Sequence, residues 1–259
     1  MTASPWKPEQ YERFRNERSQ PFFDLLSLVE PAPVSRVVDL GCGTGELTRV
    51  LHVKSRAKLT IGVDSSETML AKSQQFTGDG LMFERAEIEN FRPAQPFDIV
   101  FSNAAFQWVD DHATLMPKLV SLVAPGGQLA FQMPANADHV SHMTAREIAH
   151  ESPFAEAMND YDRPWPVMPP EWYAEALDDC GFTHLQVRLQ VYGHKLSSSM
   201  EVVEWVKGTF LTDYQKRMPA DLYEEYLARY SARLIERLGD RKPYFYAFKR
   251  ILVRGRKAA

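Results

Sequence analysis

Apolar residues in the first half of the chain fall into short runs separated by stretches of helical period. Runs at 34–40, 58–63, 81–84, 97–102 and 127–133 predict strands, and the stretches 46–54, 67–75 and 112–123 predict helices. This alternation predicts an α/β fold with a mostly parallel sheet covered by helices on both faces. Pro96 stands just before one strand, and Pro125-Gly126-Gly127 predicts a turn between the helix at 112–123 and the strand at 127–133.

The second half reads differently. Residues 134–170 are rich in His, Pro and Met and read as irregular, followed by a helix at 171–178 that ends at Gly181. Strands are expected at 185–192 and 244–253. Between them, 201–210 and 222–238 read as helices, the second with Tyr223, Leu227, Tyr230, Leu234 and Leu238 on one face. Residues 200–240 therefore form a helical insertion between the last two strands. No internal repeat interrupts this order, and 259 residues suffice for one large domain with an insertion.

The densest chemical signal is Asp39-Leu40-Gly41-Cys42-Gly43-Thr44-Gly45, between the first strand and the first helix, with three of the chain's 13 glycines in five positions. Missing side chains there permit a tight turn and let a ligand lie against the backbone. A glycine turn that serves packing alone is the alternative. The loop departs from the dinucleotide pattern G-x-G-x-x-G, because Glu46 takes the third glycine's place, and no lysine follows to meet a phosphate as in a P-loop. An acid at the helix start opposes a pyrophosphate. A nucleoside without phosphates fits better. Asp64 ends the second strand 19 residues after Gly45, where an acid commonly receives ribose hydroxyls; a helix cap is its alternative role. Glu87 and Asn103 follow the third and fourth strands, at the carboxyl ends where open α/β sheets bind ligands.

Charge and cysteine content narrow the partners. Thirty Lys and Arg against 34 Asp and Glu give a net charge of -4, which argues against nucleic acid and against an acidic membrane surface. Cys42 and Cys180 are too few for a disulfide framework, the first twenty residues lack a signal-peptide core, and no apolar window is long enough to span a bilayer. A cytoplasmic monomer is expected. His139, His142 and His150 are spaced without an HExxH or Cys-His pattern, so no metal is expected. The run 241–257 holds seven Lys or Arg and no acid, and reads as a surface edge strand.

Together, the 39–45 loop, Asp64, Ala86-Glu87-Ile88, the segment 97–109 and the turn 123–127 resemble the class I S-adenosylmethionine-dependent methyltransferases. That resemblance covers most of 34–133. It implies a Rossmann-like seven-stranded methyltransferase sheet with an antiparallel last strand, which accounts for the strands at 185–192 and 244–253. It also implies that Asp39, Gly41, Gly43, Gly45 and Asn103, with the chain around Ala104, approach the methionine part of S-adenosyl-L-methionine, that Asp64 accepts the ribose hydroxyls, and that Glu87 and Ile88 flank the adenine. Cys42 would be packing rather than a nucleophile.

A narrower similarity runs over nearly the whole chain. Trp6, Pro8, Tyr11, Phe14 and Arg18, then Asn103-Ala104 with Gln107-Trp108, Asp111-His112, Gln132-Met133-Pro134 with Asn136, and Trp205-Val206 are similar to a carboxyl-methylating branch of that family. The similarity implies a monomethyl ester of trans-aconitate as product, with residues 1–30 as a helical lid on a methyltransferase domain at 31–259. Because a carboxylate is already an anion at neutral pH, no catalytic acid or base is expected, and positioning in a covered site carries the reaction. A small polycarboxylate needs cationic and hydrogen-bonding partners, for which the candidates are Tyr11, Arg18, Gln107, Trp108, His142, Arg163, Tyr214, Arg241 and Tyr244, with Arg15 and Lys242 close by in sequence. For each arginine the alternative is a solvated surface charge. Alternative functions are methylation of another small acid, a noncatalytic S-adenosylmethionine-binding protein and, disfavoured by Glu46, an NAD-dependent dehydrogenase.

Overall fold

The computed structural model describes residues 15–30 and 35–259, with side chains described at 19–30 and 35–259. Trp6, Tyr11 and Phe14, and the side chains of Arg15 and Arg18, lie outside the described residues. The described chain runs α1 (Arg15–Leu28), β1 (Arg36–Leu40), α2 (Glu46–Ser55), β2 (Leu59–Asp64), α3 (Glu67–Ser73), β3 (Leu81–Arg85), β4 (Phe97–Asn103), α4 (His112–Leu122) and β5 (Val123–Pro134). It continues through α5 (Val140–Ala149), α6 (Phe154–Ala157), α7 (Pro170–Asp179), β6 (Phe182–Leu196), α8 (Met200–Lys207), α9 (Thr212–Arg217), α10 (Ala220–Leu238) and β7 (Tyr244–Lys257).

The seven strands lie in the order β3-β2-β1-β4-β5-β7-β6. The first five pair in parallel, and β7 runs antiparallel to β5 with Pro134 opposite Arg250 and Gln128 opposite Arg256. Strand order reverses between β1 and β4, so their carboxyl ends flank the crevice where such sheets take ligands. Central strands are buried on both sides: Val37, Val38, Leu40, Val100, Phe101, Leu129 and Phe131 are fully enclosed, each contributing about 1.5–3 kcal/mol. Phe22 of α1 packs edge-on against Phe101, 5.4 Å between ring centres.

The chain divides into two compact units. One holds the sheet core, from Arg18 to Ala135 with Pro166–Gln190 and Arg250–Ala259; the other holds Asn136–Trp165 and Val191–Lys249. The core of the second unit is aromatic, with Tyr214, Tyr226, Tyr230 and Tyr246 fully buried among Phe154, Trp205, Phe210 and Leu234.

Three expectations change. The segment 134–170 is not irregular throughout, since it holds α5 and the single turn α6. The turn at 125–127 does not precede β5 but lies inside it: Val123 already pairs with Phe97, and the register shifts before Gln128 meets Ile99. The basic run at 241–257 is not an edge strand, because β7 sits between β5 and β6. The arginines within β7 are internal or half-buried. Arg254 is completely buried, donates to Gln128 Oε1 and His184 O, and pairs with Glu30 at 2.6 Å; Arg256 meets the same carboxylate at 2.8 Å.

These bonds, Arg254 first and Arg256 second, hold the Glu30 carboxyl well down, at about 2. A carboxyl that binds its proton less readily when folded stabilises the fold fully above its unfolded value near 4.5, and the contribution fades as pH falls toward 2. Urea denaturation of the native chain and Glu30→Gln should therefore differ at pH 6 and converge between pH 4.5 and 2. A gap unchanged across that range would contradict the pairing.

Candidate active site

Four strand ends and the loops after them build a crevice. β1 ends in Asp39 and Leu40, and the chain then turns through Gly41, Gly43 and Gly45, all at positive φ (80°, 55° and 78°). Their surroundings separate their roles. A Cβ on Gly41 would stand 2.2 Å from the Ala105 Cβ, and one on Gly45 would meet the Phe83 ring and Ser73 at 2.7–2.8 Å, whereas nothing lies within 4 Å of a Cβ on Gly43. Packing thus explains Gly45, close approach of two loops explains Gly41, and Gly43 faces open space.

Asp64, ending β2, latches this loop: its Oδ2 accepts the Gly43 N–H at 2.9 Å while Oδ1 accepts the Ser66 N–H at 2.8 Å. The cap of α3 is Ser66 rather than Asp64, with Ser66 Oγ accepting from Met69 N. Asp39 is buried beneath the loop. Thr48 Oγ1 donates to its Oδ2 at 2.6 Å, and Oδ1 has no hydrogen-bond partner. Burial, with Asp64 nearby adding to it, pushes the Asp39 carboxyl up to about 7. Burial likewise pushes the Cys42 thiol upward, so it stays protonated and is no nucleophile.

Glu87 and Ile88 follow β3, Glu87 exposed and accepting from Asn90 Nδ2 at 2.6 Å. After β4, Asn103 Oδ1 accepts from Gln132 Nε2 at 2.6 Å, and Gln132 Oε1 in turn accepts from Arg250 at 3.0 Å. Ala104 is left-handed, with φ of 56°. The turn Phe106–Trp108 carries an exposed Trp108 and a Gln107 whose Nε2 donates to Ala104 O at 2.6 Å while its buried Oε1 has no partner. Below the turn, His112 Nε2 donates to the Phe106 carbonyl at 2.9 Å, so its Nδ1 accepts from the Tyr173 hydroxyl at 2.5 Å.

The other sequence candidates lie in the second unit. His142 is buried, its ring edge-on to Phe210 at 4.7 Å and Trp165 at 5.8 Å, and burial pushes it down to about 3, so it is neutral. Arg163 stacks over Phe210 at 4.2 Å and donates to the Phe210 carbonyl. Tyr214 is fully buried with an unpartnered hydroxyl, Tyr244 is buried in the same aromatic core, and Arg241 is exposed. His139 accepts from Ser141 N at the start of α5, and His150 bonds Arg146 O. Among the described residues no group of three His, Cys, Asp or Glu is placed to hold a metal ion.

Residues 11–187 match the family described as a methyltransferase domain. The trans-aconitate 2-methyltransferase of Variovorax paradoxus is 38% identical over 231 residues, 88% of each chain. That of Deinococcus radiodurans is 37% identical, covering 95% of this chain and 96% of its own, and that of Escherichia coli 33%, covering 98% and 99%. The chain belongs to the trans-aconitate 2-methyltransferase family. Solved structures agree on the fold: the YcgJ protein of Bacillus subtilis has a TM-score of 0.60 at 16% identity, covering 93% of this chain and 99% of its own. Phosphoethanolamine N-methyltransferase 2 of Haemonchus contortus, solved with S-adenosyl-L-methionine, has 0.56 at 17%, covering 93% and 53%.

The crevice fits that methyl donor. A cationic amino group suits the buried, unpartnered Asp39 Oδ1, and both Asp64 oxygens keep a lone pair for hydroxyls beyond their single backbone bonds. Sequence reasoning missed Thr48, which completes Asp39, and the Arg250–Gln132 pair behind Asn103. A signal for the pair existed. Gln128 and Gln132 recur at a spacing of four in an otherwise apolar β5, and Arg250 and Arg254 recur at the same spacing in β7.

Proposed function

We propose that the chain transfers the methyl group of S-adenosylmethionine to one carboxylate of trans-aconitate, forming a monomethyl ester. The observation that carries this reading is similarity of 33–38% along nearly the whole chain to proteins bearing that activity as their name. When bound, S-adenosylmethionine supplies an electrophilic methyl on a positively charged sulfur, which leaves as a neutral thioether. Asp39 holds the amino group of the methionine part, Asp64 the ribose hydroxyls, Glu87 and Ile88 the adenine, and Asn103 with Ala104 the rest of the methionine part.

The acceptor oxygen is an anion at neutral pH, so the new O–C bond forms as the C–S bond breaks without any proton moving. The protein's contribution is therefore to hold the oxygen in line and to exclude water. Gln107 and Trp108, on the turn beside Gly41, are the acceptor-facing residues of the sheet unit, and the bond from His112 to the Phe106 carbonyl fixes that turn.

The test is an assay with isotope-labelled S-adenosylmethionine and a panel of di- and tricarboxylates, followed by mass analysis. Label should enter a monomethyl ester formed preferentially from trans-aconitate. Preferential labelling of another acid, or of none, would overturn the substrate assignment.

A further inference from the structure

Asn103 ends β4 and opens on the crevice. Asp39 of β1 pairs with Phe101 of β4, so Gly41 and Asn103, each two residues further on, leave the sheet at the same level, and a Cβ on Gly41 would stand 2.2 Å from that of Ala105. On its other side Asn103 lies opposite Gln132 of β5. Gln132 holds this strand end twice: its backbone carbonyl accepts the Ala104 N–H at 2.9 Å, and its side-chain Nε2 donates to Asn103 Oδ1 at 2.6 Å. Behind it, Arg250 of β7 donates from Nη1 to Gln132 Oε1 at 3.0 Å, and both Gln132 and Arg250 are buried.

The direction of this relay follows from its last member. A guanidinium donates through its N–H groups and accepts through none, so the Gln132 amide turns its oxygen to Arg250 and its nitrogen to Asn103. Asn103 must then turn its oxygen to Gln132. Its Nδ2 is left over: among the described residues nothing accepts from it, and it is not sealed from solvent. The β1 side of the crevice has the opposite polarity, because Asp39 Oδ1 is an acceptor without a donor. An acceptor on one strand end and a donor on the next match the two charged ends of an amino acid, the ammonium at Asp39 and the carboxylate at Asn103. With the Asn103 amide reversed, oxygens from both strands would face that group, an arrangement suited to an amine without a carboxylate.

We infer that Arg250, through Gln132, holds the Asn103 amide with its N–H group toward the crevice, where it donates to the carboxylate of the donor's methionine part, and that this relay selects a carboxylated donor over a decarboxylated one. Arg250 and Gln132 are positioning residues, and Asn103 makes the contact. The carboxylate's place at Asn103 rests on the proposed function; the direction of the relay does not, and neither depends on the identity of the methyl acceptor.

The experiment is calorimetric titration of S-adenosylhomocysteine, and of its decarboxylated analogue, into the full chain, with thermal melting alongside. Gln132→Glu keeps an acceptor for Arg250 but offers Asn103 only oxygens, so the Asn103 amide turns over and presents its own oxygen to the crevice. The preference for S-adenosylhomocysteine over the analogue should fall about tenfold or more, while the analogue binds within about threefold of its native affinity. Gln132→Met changes no charge and frees the amide to rotate, and the same preference should fall about threefold. In an Asn103→Ala background, Gln132→Glu should leave the preference where Asn103→Ala alone puts it. A Gln132→Glu preference equal to the native one, an equal loss of both ligands with lower melting, or a Gln132→Glu effect that persists without the Asn103 amide would overturn the relay, since strand packing alone does not distinguish a carboxylate and a distant charge does not need Asn103. A native chain that binds neither ligand would instead overturn the placement of the donor in this crevice.

Discussion

Replacing Gly41 by alanine is expected to lower the affinity for S-adenosylhomocysteine about 100-fold, roughly 2.8 kcal/mol, and to lower the melting temperature. Two costs combine at this position. The backbone is left-handed, with φ of 80°, which a side chain adopts at a cost of roughly 1–2 kcal/mol. The new methyl would also stand 2.2 Å from the Ala105 Cβ, too close for both to remain. Ala105 belongs to a turn fixed on its far side by His112 and Tyr173, so the glycine loop is the part free to yield. Moving it takes the Gly43 N–H away from Asp64 and spoils the proposed ribose and methionine contacts together. Gly43→Ala is the internal control: it adds a methyl to open space and should cost affinity with a much smaller loss of melting temperature. Calorimetric titration and melting of both variants decide the matter. Binding by Gly41→Ala within threefold of the native chain would show that the contact between the loops does not shape the donor site.

Gly41 also shows where the sequence is informative. Three glycines in five positions announce a loop, but nothing local says which of them faces a ligand. That depends on Ala105, Phe83 and Ser73, brought in by register between strands far apart in sequence. Asp64 is similar: its place after β2 is legible, whereas its bond to Gly43 N–H exists because β1 and β2 pair with Leu40 opposite Val63. The first five strands were readable because each is an apolar run, ended in all but β3 by Gly, Pro, Asp or Asn. α5 was not, since its buried face is Ser141, His142, Thr144, Ala145 and Ile148, which carries too few apolar side chains to show a helical period. In α10 the buried face was legible except for Tyr226, whose hydroxyl reaches Ala145 O and so looks polar in sequence while being fully enclosed.

β7 misled for the opposite reason. Five cations within nine residues, Lys249 to Lys257 with Arg250, Arg254 and Arg256 among them, exceed what an internal strand usually carries, and hydropathy alone assigns them to solvent. The structure reconciles them through acceptors elsewhere: Gln128, Gln132, Glu30 and the His184 carbonyl. The cost of that arrangement appears when one partner is removed. Arg254→Met keeps much of the volume but removes a donor from the Gln128 amide oxygen and from the His184 carbonyl and leaves Glu30 with Arg256 as its remaining arginine partner. Breaking a buried charged network in this way costs about 3–5 kcal/mol, which for a chain of this size lowers the melting temperature by roughly 10 °C. Arg256→Met removes a more exposed partner of the same carboxylate and should cost about 1 kcal/mol or less. The two variants, compared by thermal melting and by urea titration at pH 7, separate burial from charge: equal losses would mean that Glu30 alone, and not the enclosed guanidinium between β5 and β6, is what the network contributes. S-adenosylhomocysteine affinity measured well below the melting point should be unchanged in both, because Arg254 acts on the strands behind the site and touches none of the residues proposed to hold the donor.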